Sequence, residues 1–108
     1  MRRNFEFYGA KHVAILCVPK VAGNEEVIAG DMAMFAQNMM LSLTARGYGS
    51  IPQLAVGMFG GDIRKFLGVS DDYKMLWAVS FGVPDWDAVP NKQHLGRVPV
   101  EEIVKFHR

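Results

Sequence analysis

Cysteine is almost missing from this chain: Cys17 stands alone among 108 residues. A lone thiol excludes an internal disulfide and suits a reducing compartment, so a cytoplasmic location is expected. No basic neighbour in sequence would stabilise its thiolate, so it reads as a small core residue. No apolar run approaches the roughly 20 residues that span a bilayer, and no basic-then-apolar leader opens the chain. A soluble protein with no membrane partner follows as the expectation. Net charge is only +1, with acids and bases interspersed, which leaves no field to hold nucleic acid. The three histidines (His12, His94 and His107) show no metal-ligand spacing, so no metal is expected. Gly57, Gly60 and Gly61 do not form a dinucleotide fingerprint, and neither a Walker lysine pattern nor a G-x-S-x-G elbow occurs. The carboxylate pairs at Glu25-Glu26, Asp71-Asp72 and Glu101-Glu102 lie on polar stretches and read as solvated. Catalytic side chains are therefore scarce, which points to a cofactor user or a binding module.

Apolar residues, by contrast, are abundant. They make up half of a chain that has room for one domain, and seven of them are methionine. The surplus is densest from Asp31 to Gln53, DMAMFAQNMMLSLTARGYGSIPQ. Asp31 suits a helix start and Gly47 a left-handed helix end, with a central helix between, roughly Met32 to Arg46. Met32, Phe35, Met39 and Leu43 repeat at helical spacing, and further apolar residues fill most other directions. Such a helix belongs inside a protein or an assembly. Its polar exceptions, Gln37 and Asn38, suit a hydrogen bond to a neighbouring backbone or subunit, or a bound ligand.

Along the rest of the chain, Met1 to Ala10 is an opening segment whose aromatics dock on something. His12 to Val18, HVAILCV, predicts a buried central strand closed by Pro19, with His12 at its edge. Lys20 to Gly30 reads as a polar connection and Tyr48 to Leu54 as a loop. The GDIRKFLG stretch predicts a short helix between Asp62 and Gly68, and Asp71-Asp72 a turn. Lys74 to Gly82 predicts a second strand, with Trp77, Val79 and Phe81 on one face against Leu76, Ala78 and Ser80 on the other. Val83 to Pro99 reads as an extended arm, and Glu101 to His107 as a last short helix.

The segment A-x-N-M-M-L-x-L-x-A-R-G-Y-G-S-I-P-Q (Ala36 to Gln53) resembles the central helix and following loop of the FMN-dependent nitroreductase family. F-Y-G-A with its apolar strand (Phe7 to Val18), R-K-F-L-G-V (Arg64 to Val69), L-W-A-V-S-F-G-V-P (Leu76 to Pro84) and N-x-x-H-x-x-R-x-P-x-E-E (Asn91 to Glu102) follow the family's order. Lys11 replaces the proline usual after F-x-G-A. The resemblance implies an α+β fold, the C-terminal part of a nitroreductase-like domain. It would have a small antiparallel sheet of two strands, a central apolar helix and an extended C-terminal arm. Residues 1–108 would form the C-terminal half, with the N-terminal half and its FMN-binding Arg-Ser motif absent.

That resemblance also implies a function: an FMN-dependent oxidoreductase that takes electrons from NADH or NADPH and reduces nitroaromatic or quinone-like acceptors. The absent motif would leave the enzyme assignment open, with a flavin-free structural or oligomerisation module as the other reading. No catalytic side chain is implied. By resemblance Ile51, Pro52 and Gln53 would offer backbone groups to the flavin ring edge. Arg97, with His94 beside it, would hold the phosphate. Lys92 reads as solvated. The partners implied are a second copy, as a homodimer or higher homo-oligomer, and a small-molecule electron acceptor.

Overall fold

The computed structural model describes residues 2–107. Helix α1 (Arg2–Phe5) and a 3-10 turn (Phe7–Gly9) lead into strand β1 (His12–Pro19). Helix α2 (Glu25–Thr44), strand β2 (Gly49–Gln53), a 3-10 turn (Leu54–Phe59) and helix α3 (Gly60–Phe66) follow. Strand β3 (Tyr73–Gly82), a 3-10 turn (Val89–Lys92) and helix α4 (Val100–Ile103) complete the order.

The sheet is antiparallel with strand order β1-β3-β2. The pairing of the two apolar strands agrees with the sequence, but β3 rather than β1 is central. A third strand replaces the predicted loop at 48–54. Gly49 and Pro52 are poor strand formers, and Pro in a sheet is confined to edges, which is where β2 lies. Tertiary pairing with Ala78–Gly82 overrides that local preference.

Two apolar clusters cover the two faces of the sheet. Leu16 and Val79, with Ala14 and Trp77, pack under Ala36, Met32, Met39 and Met40 of α2. Met75 and Ala78, with Val13, Ile15 and Cys17, pack against Val56, Ile63 and Phe7. Cys17 is thus a half-buried core residue. Its neighbour Leu16 pairs with Trp77 while Cys17 pairs with Met75, so Leu76 is the extra residue of a β-bulge. The bulge puts Met75 on the same face as Ala78 and corrects the strict alternation read from the sequence.

Helix α2 begins seven residues before the predicted start at Met32. Glu25 and Glu26 form its first turn, where carboxylates complement the helix dipole. Gly30 and Asp31 then lie inside the helix, so Asp31 is no cap. The predicted stop is borne out: Gly47 is left-handed at φ +79°, and Tyr48 N–H closes onto the Leu43 carbonyl at 3.0 Å. Along α2, Met32, Ala36, Met39 and Leu43 face the sheet side, while Val27, Met34 and Leu41 form an exposed heptad-spaced stripe. Gln37 and Asn38 are exposed as well.

Beyond Pro84 the chain leaves the sheet as the predicted arm. Among the described residues, every hydrogen bond and ion pair of residues 85–107 is made within that segment. Helix α4 spans only Val100–Ile103, so Lys105 and His107 fall beyond its end. The radius of gyration is 16.7 Å, against about 13 Å for a compact chain of this length. No helix of the described residues is long and apolar enough to cross a membrane.

Candidate functional site

Strand β2 is one of the two edge strands of the sheet. Ile51, Pro52 and Gln53 pair on one side with Ser80, Val79 and Ala78, while the other side of the strand has no neighbour. Ile51 and Pro52 are exposed, whereas Gln53 retains only 1% of its surface. The strand's start is fixed by a close approach, since a β-carbon on Gly49 would stand 3.0 Å from Pro84 Cβ.

Gln53 turns its side chain inward. Its Nε2 donates to the Asn4 carbonyl at 3.0 Å, and its Oε1 is buried without a partner. Ser80 Oγ, on the same face of the sheet, is also buried and unpartnered. Any contact Gln53 makes to a ligand must therefore run through its backbone. The segment that receives this amide is itself unusual. Phe7 (φ 50°), Tyr8 (φ 54°) and Gly9 (φ 78°) are left-handed in succession. That conformation costs about 1–2 kcal/mol for each non-glycine residue. Phe5 holds the segment from the other side, its ring edge-on to Phe59 at 5.4 Å.

His94 and Arg97 lie on the exposed arm. Among the described residues, Arg97 donates only to the carbonyls of Leu95 (3.3 Å) and Gly96 (3.1 Å) in its own loop, which leaves most of its guanidinium available to an anion. Neither residue is joined to β2 by a hydrogen bond or ion pair among the described residues. The structure thus groups Ile51, Pro52 and Gln53 but does not bring His94 and Arg97 to them. Lys92, read as solvated, pairs with Asp87 at 3.2 Å on the surface.

Two other features lie at the far end of β3. An apolar groove of about 560 Å³ runs between Val18, Val21, Ile28, Ala29 and Leu76 and contains none of the predicted site residues. Beside it Asp71 bridges Lys20 (3.0 Å) and Arg64 (2.6 Å). The hydrogen bond from Lys20, its charge and that of Arg64 hold the Asp71 carboxyl below the usual carboxylate value. No group of three or more metal-ligating side chains occurs among the described residues.

The sequence model of the nitroreductase family matches residues 2–83. The chain belongs to that family. Nitroreductase NfnB of Mycolicibacterium smegmatis is 39% identical over 105 residues, covering 97% of this chain and 44% of its own length. The 4-nitrobenzoate reductase of Pseudomonas putida is 26% identical over 103 residues, covering 95% of this chain and 44% of its own. In three dimensions, the crystal structure of the FMN-dependent nitroreductase NfnB from Mycobacterium smegmatis in complex with NADPH superposes with a TM-score of 0.88. That match has 39% identity and covers 98% of this chain and 46% of the other. The FMN and NADPH-dependent nitroreductase NfnB from Sphigopyxis sp. strain HMH gives 0.88 at 28% identity, covering 99% and 47%. This nitroreductase-family chain thus spans a little under half the length of these relatives.

These matches correct three expectations. The resemblance read from the motifs is confined to the family's C-terminal half, but the family match begins at residue 2. The fold class is corrected with it: the whole chain, not a C-terminal part alone, adopts the nitroreductase-like fold. The enzyme assignment is left open for want of an N-terminal FMN-binding motif, yet the chain's N-terminal region lies inside the match and is built into the fold. The physical reason is visible in Phe7 and Gln53, which tie that region to the sheet. The sequence shows these residues as an aperiodic segment and a loop end.

Proposed function

We propose that this chain serves an FMN-dependent NAD(P)H oxidoreductase of the nitroreductase type, reducing nitroaromatic or quinone-like acceptors. The observation that carries the reading is the exposed, unpaired edge at Ile51-Pro52 in a chain of this family. Relatives described as FMN-dependent, as bound to NADPH and as a 4-nitrobenzoate reductase support it.

The residues present fit the cofactor at two points. An edge strand with exposed Ile51 and Pro52 offers apolar surface and backbone polar groups to a flat heteroaromatic ring. Ile51, Pro52 and the Gln53 backbone would hold the ring edge, while Arg97, assisted by His94, would hold the phosphate through charge-assisted bonds. When bound, the flavin supplies the redox chemistry between NADH or NADPH and the acceptor. The chain's own part is to bind, orient and polarise. An N–H directed at the ring edge favours added electron density there.

We place the protein in the cytoplasm as a homodimer or higher homo-oligomer, with a small-molecule acceptor and neither nucleic acid, membrane nor metal as partner. The unpaired Cys17 is compatible with that compartment. Support for self-association comes from the exposed Val27–Met34–Leu41 stripe and an arm that exposes Trp86, Leu95, Ile103 and Phe106. The deciding measurement is the visible absorption spectrum after incubation with excess FMN and removal of free flavin. A stoichiometric flavin band that bleaches with NADH or NADPH is expected, and a colourless protein would overturn the reading.

A further inference from the structure

We infer that Gln53 is a positioning residue, whose buried amide latches the N-terminal segment to the strand that presents Ile51 and Pro52. The inference rests on the function proposed above and deepens it by saying what holds the cofactor edge in place. Among the described residues, the Gln53 Nε2 bond to the Asn4 carbonyl is the sole hydrogen bond that joins residues 2–10 to the rest of the chain. It sits at the last residue of β2, directly after the exposed pair and directly before the 3-10 turn on which Phe5 rests.

Energetics single this side chain out. A carboxamide with 1% exposure and an orphaned Oε1 is a costly way to fill core space that a leucine would fill without loss. Its donor group does what leucine cannot: it fixes the carbonyl of a segment whose next turn is strained at Phe7 and Tyr8. Strained backbone persists only where its surroundings over-determine it. Here the surroundings are Phe7 in the apolar cluster, Phe5 on Phe59, and this one amide. If the amide is lost, the segment can relax toward right-handed backbone. β2, free on its other side, then loses its anchor at Gln53.

The test compares amide hydrogen exchange in the flavin-free parent chain, Gln53→Leu and Gln53→Glu. Gln53→Leu keeps the volume and removes the donor. Protection of residues 2–10 and 49–53 should fall about tenfold together, as the loss of one hydrogen bond implies. Gln53→Glu can donate to the Asn4 carbonyl only when its buried carboxyl is protonated. It should protect like the parent at about pH 5 and like Gln53→Leu at about pH 8. A purely steric role would leave both substitutions alike at every pH, and unchanged protection of 49–53 in Gln53→Leu would also overturn the latch. FMN titration supplies the second readout, with about tenfold weaker binding expected for Gln53→Leu. Parent-like binding would overturn the positioning role even if the segment loosens. A parent chain that takes up no FMN would overturn the proposed function and the cofactor half of this inference, while exchange still decides the latch.

Discussion

The carbonyl oxygen of Leu76 occupies the space that a β-carbon on Gly57 would need. Leu76 is the bulged residue of β3, so the bulge and the glycine are two halves of one contact. The 3-10 turn can lie against the sheet only because position 57 has no side chain. Gly57→Ala should therefore destabilise the fold by roughly 1–3 kcal/mol, toward the upper end because the opposing atom is backbone. Urea unfolding checks this, and an unchanged midpoint would show that the turn can lift off the sheet at little cost.

Asp71 should make stability depend on acid pH. Its folded-state carboxyl titrates below the ordinary value because Lys20 and Arg64 favour the charged form. The contribution is then complete above about pH 4 and is lost as pH falls through the depressed folded value. Between about pH 5 and pH 3 the parent should lose more stability than Asp71→Asn does, and added salt should narrow the difference. Parallel pH profiles for the two proteins would show that the bridge contributes nothing.

Arg97 is exposed and, among the described residues, bonded only to its own loop, so Arg97→Ala should leave the unfolding midpoint unchanged. It should nonetheless weaken FMN binding by roughly 1.5–3 kcal/mol, or ten- to hundredfold, through loss of a charge-assisted contact. Fluorescence titration of FMN gives the answer. Undiminished affinity would remove Arg97 from the phosphate site.

The Val27–Met34–Leu41 stripe lies on the side of α2 away from the sheet. Charging it with Met34→Glu and Leu41→Glu should shift sedimentation velocity from an assembly to a single chain and leave the helical circular dichroism signal in place. A parent protein that already sediments as one chain would refute the proposed oligomer.

How far the sequence reaches is clearest at particular residues. The HVAILCV run and the Trp77-Val79 alternation are strong local signals, because burial demands them whatever the neighbours are. Gly47 and Gly68 mark chain reversals, and both are left-handed in the structure. The site is less legible. Ile51, Pro52 and Gln53 stand out only through resemblance to a family. Nothing local shows that 51 and 52 stay exposed while 53 is buried.

Hydrophobic periodicity is a local property of the chain, so two apolar strands and one long apolar helix are legible from residue order alone. Gly49–Gln53 becomes a strand, Leu76 bulges and Gln53 reaches Asn4 only through contacts made in the folded molecule. Each of these depends on residues far apart in the chain, and the β2 pairing competes with local propensity. Their energies come from contacts, which exist only once the sheet has formed.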